Sequence, residues 1–332
     1  MRIHGSTPLA LTVMVVAASL STWASDKKKN VDAVGNRDVA HRSIISEQKE
    51  IAIGKRYATE IDRSARIIKD PVINEYVNRV AQNVARNSDL KIPLTVKVID
   101  SPAINAFALP GGFLYINSGL LQAATEEDQL AGVVAHEIAH VAARHWASQM
   151  TKTTILRYAM LPLLFTPMSF PVYLGLSEGL NIGIPVAFLK FDRNDEAEAD
   201  FLGIQYMYKS GYDPNAYVSF FGKIAMEQQR NPSSVPTVFA DHPPTANRII
   251  KAEQEIKTLL PKRSEYLVST SEFNEMKTRL QAVMTMQNKL KETEGTPTLH
   301  KRQPKTEKSP SAQPAGQPNT QDEKPPVLKR RD

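Results

Sequence analysis

The sequence predicts an α+β domain in which helices predominate and a few short strands occur. Two observations lead to this prediction. Apolar residues recur at helical spacing before residue 88 and after residue 125, whereas the stretch of residues 94–121 follows the shorter period of β-strands. The chain has 332 residues, 42% of them apolar, which is enough for one large domain or two small ones with a sizeable core.

The amino terminus has the order of a secretory signal peptide, with a basic start, an apolar run from Leu9 to Leu20 and small residues up to Ala24. The apolar run is about 12 residues long, whereas a membrane-spanning helix needs about 20, so cleavage near Ala24 is favoured over a retained anchor. Residues 1–24 are therefore predicted to be a signal peptide that exports the mature protein from the cytoplasm. Residues 25–45 are polar and carry no sustained period, which predicts a linker.

Composition limits the kinds of site and partner. No cysteine occurs, which excludes disulfides, thiolate zinc sites and cysteine nucleophiles, so any bound metal must be held by His and carboxylates. The net charge of +6 comes partly from two basic segments, residues 26–30 and 327–332. Such segments suit a weak, peripheral attraction to an anionic membrane surface. A nucleic-acid partner is not expected, because the sequence has no concentrated basic patch interleaved with aromatic residues.

Periodicity predicts the elements of the first half of the chain. Residues 46–64 and 70–87 each carry apolar residues at helical spacing, which indicates two successive amphipathic helices. Residues 94–121 contain Pro and Gly turns between short alternating runs, as strands do. Thr125 to Asp128 then resembles a capping box with acids in the first turn, and it opens a helix that continues to about residue 141.

The second half of the chain is predicted to hold more helices and then to lose order. Residues 155–189 are strongly apolar but contain four prolines and two charges, which favours buried short helices or a mobile lid over a membrane span. Two further helices are expected between residues 192 and 229. These elements predict one folded domain at residues 46–262 and a helical extension at 263–292. The Pro- and Lys-rich residues 293–332 are predicted to be a disordered tail.

The fragment His136-Glu137-x-x-His140 places two histidines four residues apart within a predicted helix. An α-helix advances by about 100° per residue, so these positions differ by about 40° around the axis and both imidazoles can bind one ion. Glu137 can reach a water bound to that ion, which is where a general base must stand. The alternative is a helix with two histidines by chance, but a random match in this chain has a frequency on the order of 1%.

A catalytic zinc site needs a third protein ligand and one open position, and the acidic residues 191–207 are the best source of that ligand. Glu196 and Asp200 stand four residues apart there, so one can bind the metal while the other orients a histidine ligand through its second nitrogen. Glu198 is turned by about 160° from Asp200 and is expected to face away. Without the histidine motif, the same segment would be interpreted as a solvated acidic face.

Taken together, these motifs resemble those of the gluzincin zinc metallopeptidases, the family that includes the CAAX prenyl endopeptidases, the HtpX-type proteases and the periplasmic beta-barrel assembly-enhancing proteases. The resemblance rests on His136-Glu137-x-x-His140-x-x-x-Arg144-His145 and on Arg193-x-x-Glu196-x-Glu198-Ala199-Asp200. Residues 105–121 resemble the strand that precedes the family's zinc helix, and residues 241–249 resemble its late His-Pro segment. The match covers about residues 46–255 in the family's order.

The resemblance implies a predominantly helical, gluzincin-like zincin domain with a small β-sheet whose edge strand borders the active site. It also implies a metalloendopeptidase that binds one zinc ion per chain. The residues that match the family's metal ligands are His136, His140 and Glu196, and Glu137 matches its general base.

Four further residues receive expectations, Asp200 and His242 from the resemblance, and Arg144 and His145 from helix geometry. Asp200 matches a residue that orients a metal ligand. His242 matches a histidine near the metal that steadies the oxyanion or occupies the open position at rest. Arg144 is expected to pair with an acid such as Asp200, or else to be an ordinary cation near a helix end. His145 points some 140° away from His140 and is expected to be structural.

The predicted function is that of an exported, periplasmic zinc endopeptidase that hydrolyses peptide bonds in unfolded or misassembled envelope proteins. The sequence shows neither the long apolar spans of the membrane members nor the carboxy-terminal repeats of the assembly-enhancing proteases, which makes prenylated substrates unexpected. The substrate is expected to pair backbone to backbone with the strand of residues 112–117. The residues assigned to substrate binding are Gly112, Phe113, Leu114, Tyr115 and Ile116.

Two alternatives to this function remain open. The same fold could act as a chaperone-like holdase for outer-membrane proteins, with little proteolysis. The zinc could instead be purely structural. Three protein ligands beside a glutamate argue against a structural ion, because structural sites normally close with four ligands.

Overall fold

The computed structural model describes residues 28–160, 191–230, 242 and 245–295. It divides into two units, Met1–Asn288 and Lys289–Asp332, and the elements described below belong to the first unit apart from the end of the last helix. The predicted signal peptide, most of the apolar segment at 155–189 and nearly all of the predicted tail lie outside the described residues. Within the described ranges, no helix is long and apolar enough to cross a membrane.

Two capped helices open the domain, α1 (Glu47–Ser64) and α2 (Pro71–Arg86). The side chain of Ser46 accepts a hydrogen bond from the backbone N–H of Lys49 at the start of α1. The side chain of Asp70 accepts two such bonds at the start of α2, where proline occupies the first turn. Both helices predicted from periodicity are present.

The strands β1 (Thr95–Ile99), β2 (Ala106–Leu109) and β3 (Phe113–Asn117) form one sheet in the order β1-β3-β2. β1 pairs with β3 in parallel, and β2 pairs with β3 antiparallel. The turn between β2 and β3 contains Gly111 and Gly112, whose φ angles of 82° and 85° lie in the left-handed region that favours glycine. The predicted class, mostly helical with a small sheet, is confirmed.

The helix that carries the histidine motif lies at the centre of the domain. The helices after the sheet are α3 (Ser118–Ala123), α4 (Glu127–Ala142), α5 (His145–Met160), α6 (Arg193–Lys209), α7 (Asn215–Arg230), α8 (Ala246–Leu259) and α9 (Ser271–Gly295). Every residue of α4 is buried, and α2, α6 and α7 pack against it. A helix that is buried on all sides belongs to the core rather than to the surface. Side chains on α4 are therefore held on every face.

The crossing of α4 and α6 is close because α6 carries Gly203 at the contact. A Cβ atom added to Gly203 would lie 3.2–3.3 Å from backbone atoms of Ala135 and His136. Such contacts are tighter than side chains ordinarily make, so a glycine allows the two backbones to approach. The approach brings the acidic face of α6 next to the histidines of α4.

The segment before α1 packs against the domain, so the predicted linker at residues 25–45 is wrong over its described part. Val31, Val34 and Val39 are buried in the main core. Arg37 is also buried, and it donates hydrogen bonds to Asp89 at 3.0 and 2.6 Å. The three valines are spaced too widely to form a recognisable period, and the ion-pair partner lies far away in the sequence.

The predicted carboxy-terminal extension is likewise part of the core. Helix α9 begins at Ser271 and buries Phe273, Met276 and Leu280 in the same hydrophobic cluster as α2 and α4. The part of the predicted extension that belongs to the first unit, up to Asn288, therefore packs with the domain.

Candidate active site

Four side chains from three parts of the chain meet between α4 and α6. They are His136 and His140 on α4, Glu196 on α6, and His242, and all four are buried. One ligand atom from each lies within 4.8 Å of the others. The Nε2 atoms of His136 and His140 are 3.1 Å apart, and the carboxylate of Glu196 approaches them at 3.6 and 3.5 Å. These separations suit one metal ion with bonds of about 2.0–2.2 Å.

Local sequence explains why Glu196 faces the histidines. Asp192 caps α6, and its side chain accepts hydrogen bonds from the backbone N–H groups of Asn194 and Asp195. The cap fixes the start of the helix so that Glu196 lies in the first turn, on the side that faces α4. His242 completes the group from beyond α7, with Nδ1 2.6 Å from Glu196 Oε1.

The charges of the group are coupled. Burial raises the pKa of Glu196, but hydrogen bonds from His136 and His242 outweigh burial and hold it well below its usual range. Burial lowers the pKa of His136, but Asp200 and Glu196 outweigh that effect and raise it to about 9. Burial and the neighbouring His136 lower the pKa of His140. The carboxylates thus stay charged beside the protonated His136, and a divalent metal held by His136, His140 and Glu196 would supply the same positive charge.

A second carboxylate and an arginine orient the first histidine. Asp200 Oδ1 lies 3.1 Å from His136 Nδ1, and Asp200 also accepts hydrogen bonds from the Tyr217 hydroxyl and from Arg248. Arg248 Nη1 lies 2.8 Å from Glu196 Oε2, so the same guanidinium holds Glu196 and Asp200. Burial raises the pKa of Asp200, but Arg248 and His136 outweigh it and lower it to about 2. A charged Asp200 directs Nε2 of His136 toward the centre of the group.

Glu137 is buried beside the metal-ligand group. Its Oε2 atom accepts a hydrogen bond of 3.0 Å from the backbone N–H of Ala108 in β2. Among the residues that the structure describes, its Oε1 atom has no hydrogen-bond partner and lies 3.6 Å from His242 Nε2, which also has none there. Burial raises the pKa of Glu137, and the nearby His242 and His136 oppose that rise. One oxygen is therefore anchored and the other is directed toward His242, beside the ligands.

The sheet edge that borders the site is β2, so the prediction that substrate pairs with residues 112–117 is wrong. β3 is the central strand, and its two edges are hydrogen-bonded to β1 and β2. The β3 residues that this excludes from strand pairing with a substrate are Phe113, Leu114, Tyr115 and Ile116, and Gly112 lies in the turn before β3, where its carbonyl accepts a hydrogen bond from Thr95 at 2.7 Å. Among the described strands, β2 has a neighbour on one side only. The alternating pattern of the sequence located the strands but could not give their order.

The backbone of β2 shows which groups face the site. The N–H of Asn117 donates to the carbonyl of Asn105 at 3.0 Å, which makes these two residues a hydrogen-bonded pair. Since such pairs alternate along antiparallel strands, the backbone groups of Ala106 and Ala108 point away from β3. The bond from Ala108 to Glu137 agrees with this alternation.

Arg144 does not pair with Asp200. It adopts a φ of 56° immediately after α4, and this left-handed turn directs its side chain toward α1. There Nε donates to Glu50 at 2.7 Å and Nη2 donates to the carbonyl of Ile45 at 2.7 Å. The left-handed conformation of a residue other than glycine could not be inferred from the sequence.

Three residues of the site were not found by sequence reasoning. Arg248 and Tyr217 hold Asp200, and Phe191 stacks on His140 with ring centroids 4.1 Å apart. Arg248 does lie within the His-Pro segment that contributed to the family resemblance, which is the one signal that could have identified it. Nothing in the pattern of the sequence indicates that Tyr217 or Phe191 reaches the histidines.

Residues 71–256 match peptidase family M48. The chain is 28% identical over 257 residues to the beta-barrel assembly-enhancing protease of Escherichia coli (strain K12), covering 76% of this chain and 53% of that protein. It is 32% identical over 224 residues to the beta-barrel assembly-enhancing protease of Yersinia pestis, covering 65% and 46%. It is 35% identical over 193 residues to the mitochondrial metalloendopeptidase OMA1 of Schizosaccharomyces pombe, covering 57% and 54%. The chain thus spans about half the length of these curated relatives.

Proposed function

We propose that the chain, which belongs to peptidase family M48, is a metalloendopeptidase that uses one zinc ion to hydrolyse unfolded or misassembled envelope proteins outside the cytoplasm. The observation that supports this most directly is the convergence of His136, His140 and Glu196 next to a buried Glu137. Two imidazoles and one carboxylate form a donor set that catalytic zinc sites use.

The proposed metal ligands are His136 and His140 through Nε2, and Glu196 through its carboxylate. The donor atoms fit because they lie 3.1–3.6 Å from one another and because Asp200 holds the other nitrogen of His136. When bound, zinc supplies Lewis acidity toward a peptide carbonyl and toward water.

Glu137 is the proposed general base. Its anchored oxygen keeps the carboxylate in place through Ala108, and its other oxygen is available to take a proton from water and return it to the leaving amine. A pKa raised by burial brings this carboxyl closer to the operating pH, which favours proton transfer in both directions.

His242 is proposed to act on the opposite side of the reacting carbonyl. Its Nδ1 atom is bound to Glu196, which leaves Nε2 facing the space beside Glu137. From that position Nε2 contacts the developing oxyanion during hydrolysis, or takes the open ligand position of the metal at rest.

The outer edge of β2 is proposed to hold the substrate backbone through the carbonyl of the half-buried Ala108, which points away from β3, because the N–H of Ala108 already binds Glu137. Contacts between backbones recognise an extended chain rather than particular side chains, which favours unfolded substrates. The printed names of the relatives in Escherichia coli and Yersinia pestis tie those proteins to β-barrel assembly. Together with the signal-peptide pattern of residues 1–24, this supports envelope proteins as substrates and a periplasmic location.

The test is the zinc content and the casein cleavage of the full chain, measured side by side with Glu137→Gln. We expect Glu137→Gln to retain zinc and to lose hydrolysis, because the substitution removes the base and keeps the ligands. Glu126→Gln is the matched control, since it makes the same change at an exposed residue that precedes the same helix. Normal cleavage by Glu137→Gln would contradict the mechanism. A parent protein that binds unfolded outer-membrane proteins without cutting them would instead favour the holdase alternative.

A further inference from the structure

A second group of side chains contacts His140 on the side that faces away from the other proposed metal ligands. His145, at the start of α5, is completely buried, and its Nδ1 atom lies 3.0 Å from Nδ1 of His140. Its other nitrogen, Nε2, lies 3.4 Å from Glu198 Oε2, at the long end of the hydrogen-bonding range. A line of contacts therefore runs from a proposed metal ligand through His145 to a carboxylate on α6.

The amino-terminal segment fixes the far end of this line. Glu198 Oε2 accepts a hydrogen bond from His41 Nε2 at 2.7 Å, and Oε1 accepts one from Lys28 Nζ at 2.5 Å. The backbone N–H of His41 also donates to the carbonyl of Ala143 at 2.9 Å, so His41 is attached to the end of α4 as well. The side chain of Glu198 is 19% exposed, which leaves little solvent to compete for these bonds.

The positions of hydrogen along the line follow from the role of His140. Its Nε2 atom faces His136 and Glu196, so this nitrogen must present a lone pair to a metal and Nδ1 must carry the hydrogen. Since Nδ1 of His140 donates, Nδ1 of His145 accepts. The hydrogen of His145 is then on Nε2, where it is donated to Glu198.

These hydrogen positions do not suit a second metal ion between His145 and Glu198. His41, His145 and Glu198 lie close enough together to hold one. Binding through His145 Nε2 would require that nitrogen to lose its hydrogen while Nδ1 still accepts from His140, which leaves an imidazole ring without any hydrogen on nitrogen. The ammonium group of Lys28 on Glu198 would also repel a cation.

We propose that His145 is a positioning residue of the metal site, which accepts the Nδ1–H of His140, is held by Glu198 and so fixes the direction of His140 Nε2. This inference rests on the proposed function, because it assumes that His140 binds the metal. Residues that hold a ligating histidine in this way typically contribute about 10- to 100-fold to metal affinity. The sequence pattern had assigned His145 and Glu198 no part in the site.

The test uses His145→Phe, which keeps a ring of similar size and removes both nitrogens, and His145→Gln, whose amide can accept from His140 and donate to Glu198. The zinc affinity of the full chain is measured by competition with a chromophoric chelator, and the ligand geometry by the visible spectrum of the cobalt-loaded protein. We expect His145→Phe to weaken zinc binding by about 10-fold or more and to shift the cobalt spectrum. His145→Gln should recover most of both. Ser148→Ala, at a buried residue of the same helix, is the matched control.

Each outcome decides the inference. Unchanged zinc affinity and an unchanged cobalt spectrum in His145→Phe would overturn it while leaving the proposed function intact. A parent protein that binds no zinc would overturn both. Two zinc ions per chain, one of them lost in His41→Ala, would replace the positioning role with a second metal site. If His145→Phe does not fold, Glu198→Ala changes a partly exposed residue, and zinc binding weakened by about 10-fold is expected there too.

Discussion

Replacing Arg248 with methionine should destabilise the metal-free protein by about 3–5 kcal/mol. The guanidinium of Arg248 contacts two carboxylates of α6, with Nε and Nη2 at 2.8 and 2.7 Å from Asp200 and Nη1 at 2.8 Å from Glu196. Methionine keeps much of the length of the side chain but removes its charge and all of its hydrogen bonds. The variant leaves two buried carboxylates short of one cation, which is the situation in which breaking an ion pair is most costly.

The size of the effect follows from burial. The side chains of Arg248, Asp200 and Glu196 are 12%, 5% and 7% exposed. Screening by water, which reduces most surface ion pairs to about 1 kcal/mol or less, is weak at such a site. Tyr217 and His136 still contact Asp200 in the variant, so the loss stays below that of an isolated buried charge.

Urea denaturation in the presence of EDTA, followed by circular dichroism, measures this difference in the free energy of unfolding. Lys251→Met makes the same kind of change at an exposed position of α8, and it should stay within about 0.5 kcal/mol of the parent protein. A loss below about 1 kcal/mol for Arg248→Met would refute the reasoning, because the pair would then behave like a solvent-screened surface pair.

Three other outcomes test different parts of the site and the core. Glu196→Ala should lose zinc, measured by atomic absorption, whereas Glu198→Ala should still bind one ion at saturating zinc; the reverse result would make Glu198 the third ligand. His242→Ala should retain zinc and cleave a short peptide roughly 10²-fold more slowly, and parent rates on both peptide and casein would remove His242 from the site. Burial, with a contribution from Glu126, raises the pKa of Asp128 from 3.8 to about 7. Between about pH 4 and 7 the folded protein therefore keeps a proton on Asp128 that the unfolded chain releases. The contribution of Asp128 to the free energy of unfolding falls as the pH rises through this range. Asp128→Asn should thus be more stable than the parent at about pH 8 and equal to it near pH 4, and equal unfolding curves at both pH values would contradict this.

Local sequence was sufficient to predict the helices and strands and the proximity of His136 and His140, because both depend on short spacings. His136 and His140 lie on one face of α4 by helical geometry alone. Predicting Glu196 as the third ligand required two further observations, the acidic segment of α6 and the family resemblance. The pairing of β3 with both of its neighbours could not be predicted, since alternation identifies a strand but contains no information on the order of strands in the sheet.

Contacts between distant segments were the main source of error. Helical spacing suggested that Arg144 would pair with Asp200. Arg144 itself adopts a left-handed conformation, which turns its side chain toward Glu50 instead. The true partner of Asp200 is Arg248, which lies 48 residues away along the chain. His41 contacts Glu198 from 157 residues away, in a segment whose polarity predicted a linker. Each of these pairs depends on how elements pack, which no local period encodes.

Opposite faces of α6 contact the histidines of α4 by two routes, and this links the proposed metal ligands to the amino-terminal segment. Glu196 and Asp200 differ by about 40° around the helix, whereas Glu198 is turned by about 160° from either. The first face reaches His136 and His140 directly across the close crossing at Gly203, while the opposite face reaches His140 through His145. Because the carboxylates belong to one rigid helix, a rotation of α6 would move both sets of contacts together. Under the proposed positioning role of His145, the packing of the segment that holds Glu198 is consequently part of what fixes the geometry of the proposed metal site.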